Sequence, residues 1–383
     1  MATIQDVPPE IMGQILTELD PTDVASVSQT CSAYFDFIYH PTNELLWREL
    51  YLSQILDDPR TCLSLLGHRL PEIGWRHQVK RIIRARTVVR NPGLCRIEER
   101  CAVMQTLLDV AVNTKPRREV SSGDLSYNHV WLVTLLRTGI WFDQHWDLDY
   151  EGRQTRARFH TYFGLTTNDY TPDRLLETRS IVYAMRNYRE ANEWGPFDKH
   201  GSGMVNWEHI LAIHHVMSMH IVPTRPAVGF MTFPMSLPFC QSVLPPGLHL
   251  DETLDWVGIE GLWECSFAFC DHGQLLAFNN DDRSDNLPLD SEVFQDATFQ
   301  EIFSTISIRL RVTSTIPDPA HPNRPMIHFV GGIEDQSHMH GWVKLTPDHQ
   351  IRWHFESGQL GNYIWRLVNS IIYLFDMFSH WPL

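Results

Sequence analysis

The apolar residues of this chain change period near residue 250, and that change constrains the fold more than any other feature. Upstream they recur every three or four residues, as on one helix face: Ile11, Ile15, Leu16 and Leu19, then Val24, Val27 and Cys31. Downstream, "STISIRLRVTSTI" alternates and puts Ile306, Ile308, Leu310 and Val312 on one face of a half-buried strand. "GWVKLTPDHQIRWHF" reads as two strands around a Pro-Asp turn, and "GLWECSFAFCDHGQLLAFNN" as a hairpin around Asp271, His272 and Gly273. Helices followed by strands predict an α+β chain. Its C-terminal part is expected to form an antiparallel β-sheet or open barrel across roughly residues 250–357.

The N-terminal helices are punctuated by proline and aspartate. Pro8 and Pro9 open the first, where a missing N–H costs nothing. Asp20 is placed to cap the next, with Pro21 as its first residue and Asp23 complementing the dipole. Tyr34, Phe35 and Ile38 mark a third apolar face, and "NELLWRELYL" closes the block with Leu46, Trp47 and Leu50. Helix is also expected within 56–115 and in "LSYNHVWLVTLLRTGIWF" and "DRLLETRSIVYAMRNYREANEW". The expected organisation is a first domain over 1–55, a helical middle over 56–222, and a proline-rich passage followed by a mainly antiparallel β domain over 223–383.

The order Pro-Pro-Glu-Ile, Ile-Leu-x-x-Leu, Asp-Pro-x-Asp-Val, Cys-x-x-Tyr-Phe and Leu-Trp over roughly residues 4–50 resembles an F-box. Thr30 and Ser32, flanking Cys31, depart from the aliphatic and basic residues usual there. The resemblance implies a three-helix F-box that docks on the Skp-type adaptor of a cullin ubiquitin ligase, in the cytoplasm, the nucleus or both. Carried onto this sequence, the adaptor contacts are Pro8, Pro9, Ile11, Leu16, Leu19, Pro21 and Val24, with Cys31, Tyr34 and Trp47 inside. Short helices are marginal alone, and these carry more apolar surface than they can hide among themselves. "GPFDKHGSGMVNWEHILAIHHVMSMH" and the Gly-x-Val…Arg-Trp hairpin further resemble F-box proteins of mushroom-forming fungi. The tail lacks the glycine- and tryptophan-rich ending that this likeness implies, which bears on closure of the C-terminal domain.

Composition narrows the classes. A net charge of −15 argues against a general nucleic-acid binder. None of the 7 cysteines forms a C-x-x-C pair, so the chain reads as intracellular with reduced, mostly buried thiols. The N-terminus has no secretory signal pattern. Arg366, Asn369 and Asp376 interrupt the apolar tail, whereas an anchor needs about 20 clean apolar residues. The basic helix "WRHQVKRIIRARTVVR" reads as a solvated face.

No constellation announces enzyme chemistry, a metal or a cofactor. The stretch Asp198–His209 imitates a calcium loop through Asp198, Ser202, Gly203 and Asn206, but His209 stands where a bidentate glutamate is needed. It reads instead as a turn in which Asn206 caps a helix beginning near Trp207. His209, His214, His215 and His220 lack the spacing of a helical metal pair, and His338 with His340 lack nearby acidic or thiolate partners. The expected function is that of a non-catalytic substrate-recognition subunit. Target recognition is expected in the C-terminal loops, the acidic one around Asp281, Asp282 and Asp285 and "PDPAHPNRP". The alternative is an F-box scaffold outside a ligase, with ligand or metal binding in the C-terminal sheet.

Overall fold

Punctuation residues set the helices where the sequence places them. The computed structural model describes residues 7–70, 72–118, 125–222, 231–244, 250, 253–280, 289–333, 337–359 and 362–370. Helix α1 (Pro9–Thr17) starts on its prolines. In α2 (Pro21–Ser28), Asp20 accepts from the Thr22 amide at 2.9 Å. Helices α3 (Ser32–Tyr39) and α4 (Glu44–Leu52) complete the block, separated by His40 and Pro41, which cannot continue a helix. Met12, Leu16, Val24, Ile38, Leu46, Trp47 and Leu50 are buried, and the Trp47 indole donates to the Ile38 carbonyl at 3.1 Å.

The chain divides into two compact units, Met1–Gly164 with Met231–Pro246, and Leu165–Phe230 with Gly247–Leu383. One boundary of this division, after Gly164, falls inside the expected helical middle, and the other two fall in the passage that follows it. Unit one continues from this four-helix block into α5 (Trp75–Arg90), α6 (Arg100–Val112), α7 (Tyr127–Leu136) and α8 (Tyr150–Phe163). The buried Asp57 carboxylate accepts from Ser126 Oγ at 2.5 Å and from the Lys115 and Tyr127 amides. It thereby ties the loop after α4 to the start of α7.

Unit two contains α9 (Pro172–Val182), α10 (Trp207–Ile221), α11 (His272–Asn279) and one six-stranded sheet. Its strands are β1 (Gly261–Cys270), β2 (Glu301–Ile316), β3 (Met326–Ile333), β4 (Ser337–Leu345), β5 (Ile351–Gln359) and β6 (Asn362–Ser370). Every neighbouring pair is antiparallel and the order follows the chain, so the sheet is an open meander. The alternation in β2 is as expected: Ile308 and Leu310 are buried while Ile306 and Val312 are half-buried. Ile327, Val343 and Trp353 line up across three strands on the buried face.

One expectation is corrected. Residues 261–280 form no hairpin, because β1 ends at Cys270 and α11 follows at once. Asp271 caps that helix, accepting from the Gly273 and Gln274 amides at 2.9 and 3.1 Å. Phe278 then packs with Tyr183 and Phe294 in one buried cluster. The Asp-His-Gly turn signal is also a helix-start signal, and the apolar packing decides between them. The acidic loop at 281–288 and the tail at 371–383 lie outside the described residues.

Candidate functional site

The N-terminal helical block divides the candidate adaptor contacts by exposure. Pro8 and Pro9 are exposed and Ile11 is 46% exposed, while Leu19 is half-buried. Leu16 and Val24 are each 1% exposed, and Pro21 is buried. These three residues are packed inside in the free chain, whereas the others of the carried-over set stand at or near its surface. Trp47 is inside, as expected; Cys31 and Tyr34 are half-buried. Three exposed apolar side chains stand outside the carried-over contacts: Ile15, which the sequence reading counted only in the apolar surplus, and Phe35 and Leu45, which it did not count as surface. Ile11 and Ile15 are one helical turn apart and so share a face of α1.

The basic helix α5 braces this block. Arg86 donates to Asp20, the cap of α2, at 2.7 Å. That hydrogen bond holds the Asp20 carboxyl well below the usual carboxylate range, against a smaller opposing effect of burial. Arg76 reaches the Tyr39 carbonyl at 3.2 Å, and the Lys80 ammonium lies 5.2 Å from the Tyr39 ring centre. Arg81 and Arg84 pair with Asp109 and Glu99. These charges are spent within unit one.

The expected calcium imitation resolves into local structure. Asn206 caps α10, accepting from the His209 amide at 3.2 Å. His209 is buried against the Tyr188 hydroxyl at 3.1 Å, and burial pushes its pKa down to about 4. The other histidines of α10 have separate neighbours: His214 meets Ser218, His215 lies 3.5 Å from Asp169, and His220 meets Glu301 at 2.9 Å. Glu301 also receives Arg179 and the Tyr183 hydroxyl, which binds α9 and α10 to the start of β2. His340 lies 3.6 Å from Glu356, and the side chain of His338 is outside the described residues. All 7 cysteines are free thiols, of which Cys62, Cys240 and Cys270 are buried and Cys101 is exposed. Burial pushes the Cys62, Cys240 and Cys265 thiols up to about 12.

Unit two carries a cavity of about 580 Å3 at one end of the sheet. Its walls are the β2–β3 loop, the β4–β5 turn and the loop that precedes α10. The predicted "PDPAHPNRP" loop therefore contributes through Pro317, Asp318 and His321. Lys344 and Arg352, which the sequence reading did not single out, lie on the sheet side. Arg352 is 4% exposed at its side chain and donates to Glu193 at 2.6 Å. Its guanidinium stacks 4.2 Å from the Phe197 ring centre. The volume lies within the range of about 300–1,000 Å3 usual for ligand sites.

Comparison with known families places a class on the N-terminal block alone. An F-box-like family model matches residues 4–53, the span of α1 to α4. The chain thus carries an F-box-like domain over these residues. No curated protein and no solved structure matches the chain. No helix among the described residues is long and apolar enough to cross a membrane.

Proposed function

We propose that this chain is the target-recognition subunit of a Skp–cullin ubiquitin ligase. The F-box-like block docks the adaptor, and unit two holds the target near the conjugating enzyme. The observation that carries the reading is the family match over residues 4–53 on a helical block that leaves Ile11 and Ile15 exposed. An apolar helix face of this kind suits a partner's groove. The chain itself catalyses nothing in this reading. The work is done in the cytoplasm or nucleus, where such ligases act.

Affinity purification of the full chain tests the proposal. Adaptor and cullin should copurify together. Adaptor without cullin would instead favour an F-box scaffold outside a ligase, and neither partner would sink both readings.

A further inference from the structure

The sheet of unit two sets two cations face to face beneath its cavity. Lys344 of β4 is the register partner of Arg352 of β5, and both line the cavity. Their charged ends lie 5.1 and 5.2 Å from the Trp342 ring centre. Like charges directly opposite on neighbouring strands oppose sheet formation. The chain as a whole carries a net charge of −15, so this concentration runs against its general bias. A bound anion would turn the repulsion into attraction.

Arg352 adds a second, independent sign. One amino group donates to Glu193, while its buried Nε has no hydrogen-bond partner. A guanidinium has a fork of donors, and a single contact leaves part of that fork unused. A buried donor without an acceptor carries a desolvation penalty that an incoming oxyanion removes. Glu193 occupies this place at a cost: it and Trp194 have positive φ, 53° and 59°, a region that side chains other than glycine rarely adopt. The other wall carboxylate, Asp318, accepts from the Ala320 amide at 2.9 Å and faces His321 Nδ1 at 3.1 Å, and it also feels the Lys344 charge without a direct ion pair to it.

The remaining walls select the carrier of the anion. Pro317, Pro319 and Pro347 present apolar rings without N–H donors. Such walls suit an extended chain that is held by side-chain contacts. We infer that the cavity binds a carboxylate carried on an extended peptide, an acidic segment of the recruited target. This rests on the reading of unit two as the target-holding part. A free organic acid offers the same carboxylate chemistry, and the test separates the two sources.

A random-sequence peptide-display library is selected on the full-length protein, and succinate is titrated separately by calorimetry. Peptides enriched in aspartate or glutamate are expected, with affinity falling at least tenfold for their asparagine or glutamine twins. Lys344→Glu should remove that enrichment while keeping the adaptor bound through unit one. Arg352→Lys, which keeps the charge but loses the planar fork, should weaken the same peptides. Saturable succinate binding that Lys344→Glu abolishes, with no acidic peptides selected, would assign the carboxylate to a free acid and overturn the peptide. Selection without acidic bias, or an acidic bias unchanged in Lys344→Glu, overturns the inference. If the wild-type chain still copurifies with adaptor, cullin and a ubiquitinated target in that event, the ligase reading survives it.

Discussion

Leu16 and Ile15 are neighbours in α1 with opposite surroundings, and the difference fixes what each can report. Leu16 is 1% exposed, so Leu16→Asp would place an unpaired charge in the block's own core. Its effect on adaptor binding would be indistinguishable from unfolding. Ile11 and Ile15 are 46% and 43% exposed. Ile11→Asp with Ile15→Asp should therefore lower adaptor affinity at least tenfold with a Tm within a few degrees of wild type. Unchanged affinity in the folded double variant would rule this face out. His209 offers a test of a different kind. Its folded pKa of about 4 lies below the ordinary histidine value of 6.5 because burial disfavours the charged ring. Stability from keeping it neutral is fully present above about pH 6.5 and is lost as pH falls toward 4, since the unfolded chain then binds the proton more readily. The slope approaches about 1.4 kcal/mol per pH unit within that window. Hydrogen exchange of α10 amides at pH 7.5 and 5 should show the loss, and His209→Gln should flatten it. An equal pH response in that variant would assign the effect to other groups.

At the scale of elements, close strand contact makes a strong demand at Gly341 in β4. A Cβ there would stand 2.1 Å from the His354 carbonyl oxygen and 2.7 Å from the Phe329 ring. Gly341→Ala must push backbone apart, and overpacking of this kind costs about 1–3 kcal/mol or more. Thermal melting should show a Tm drop of several degrees, and a neutral result would mean the strands can separate there without penalty. The elements also show where sequence suffices. Asp20 and Asn206 could be read as caps because the groups that they satisfy lie two and three residues away. The β2 alternation was equally plain, being a local pattern with period two. The α11 segment was not, since its packing depends on Tyr183 and Phe294, distant in sequence. The same holds at the cavity. Lys344 and Arg352 are unremarkable strand residues until register pairs them, and Glu193 reaches Arg352 across 159 positions. The F-box-like block was legible as a class, but helical spacing alone could not sort its apolar residues into core and surface.

At the scale of the whole molecule, the two proposed tasks fall in different compact units, which makes them separable by point substitution. Deleting the first fifty or so residues is a poor instrument for this. It would remove Asp20 from Arg86 and strip α4, with its buried Leu50 and Tyr51, from its packing with α5. The loss of a partner could then reflect damage to the rest of unit one. The better comparison keeps the full chain and sets Ile11→Asp/Ile15→Asp against Lys344→Glu. The first variant should lose adaptor and cullin while retaining acidic peptide; the second should lose the peptide and retain adaptor and cullin. Sites in separate units with no shared partners should also combine additively, within about 0.5 kcal/mol. The triple variant should thus show both defects at the magnitudes of its parents, measured by adaptor titration and by peptide titration on the same preparation. If Lys344→Glu weakens the adaptor as strongly as the peptide, the tasks are not divided between the units as proposed.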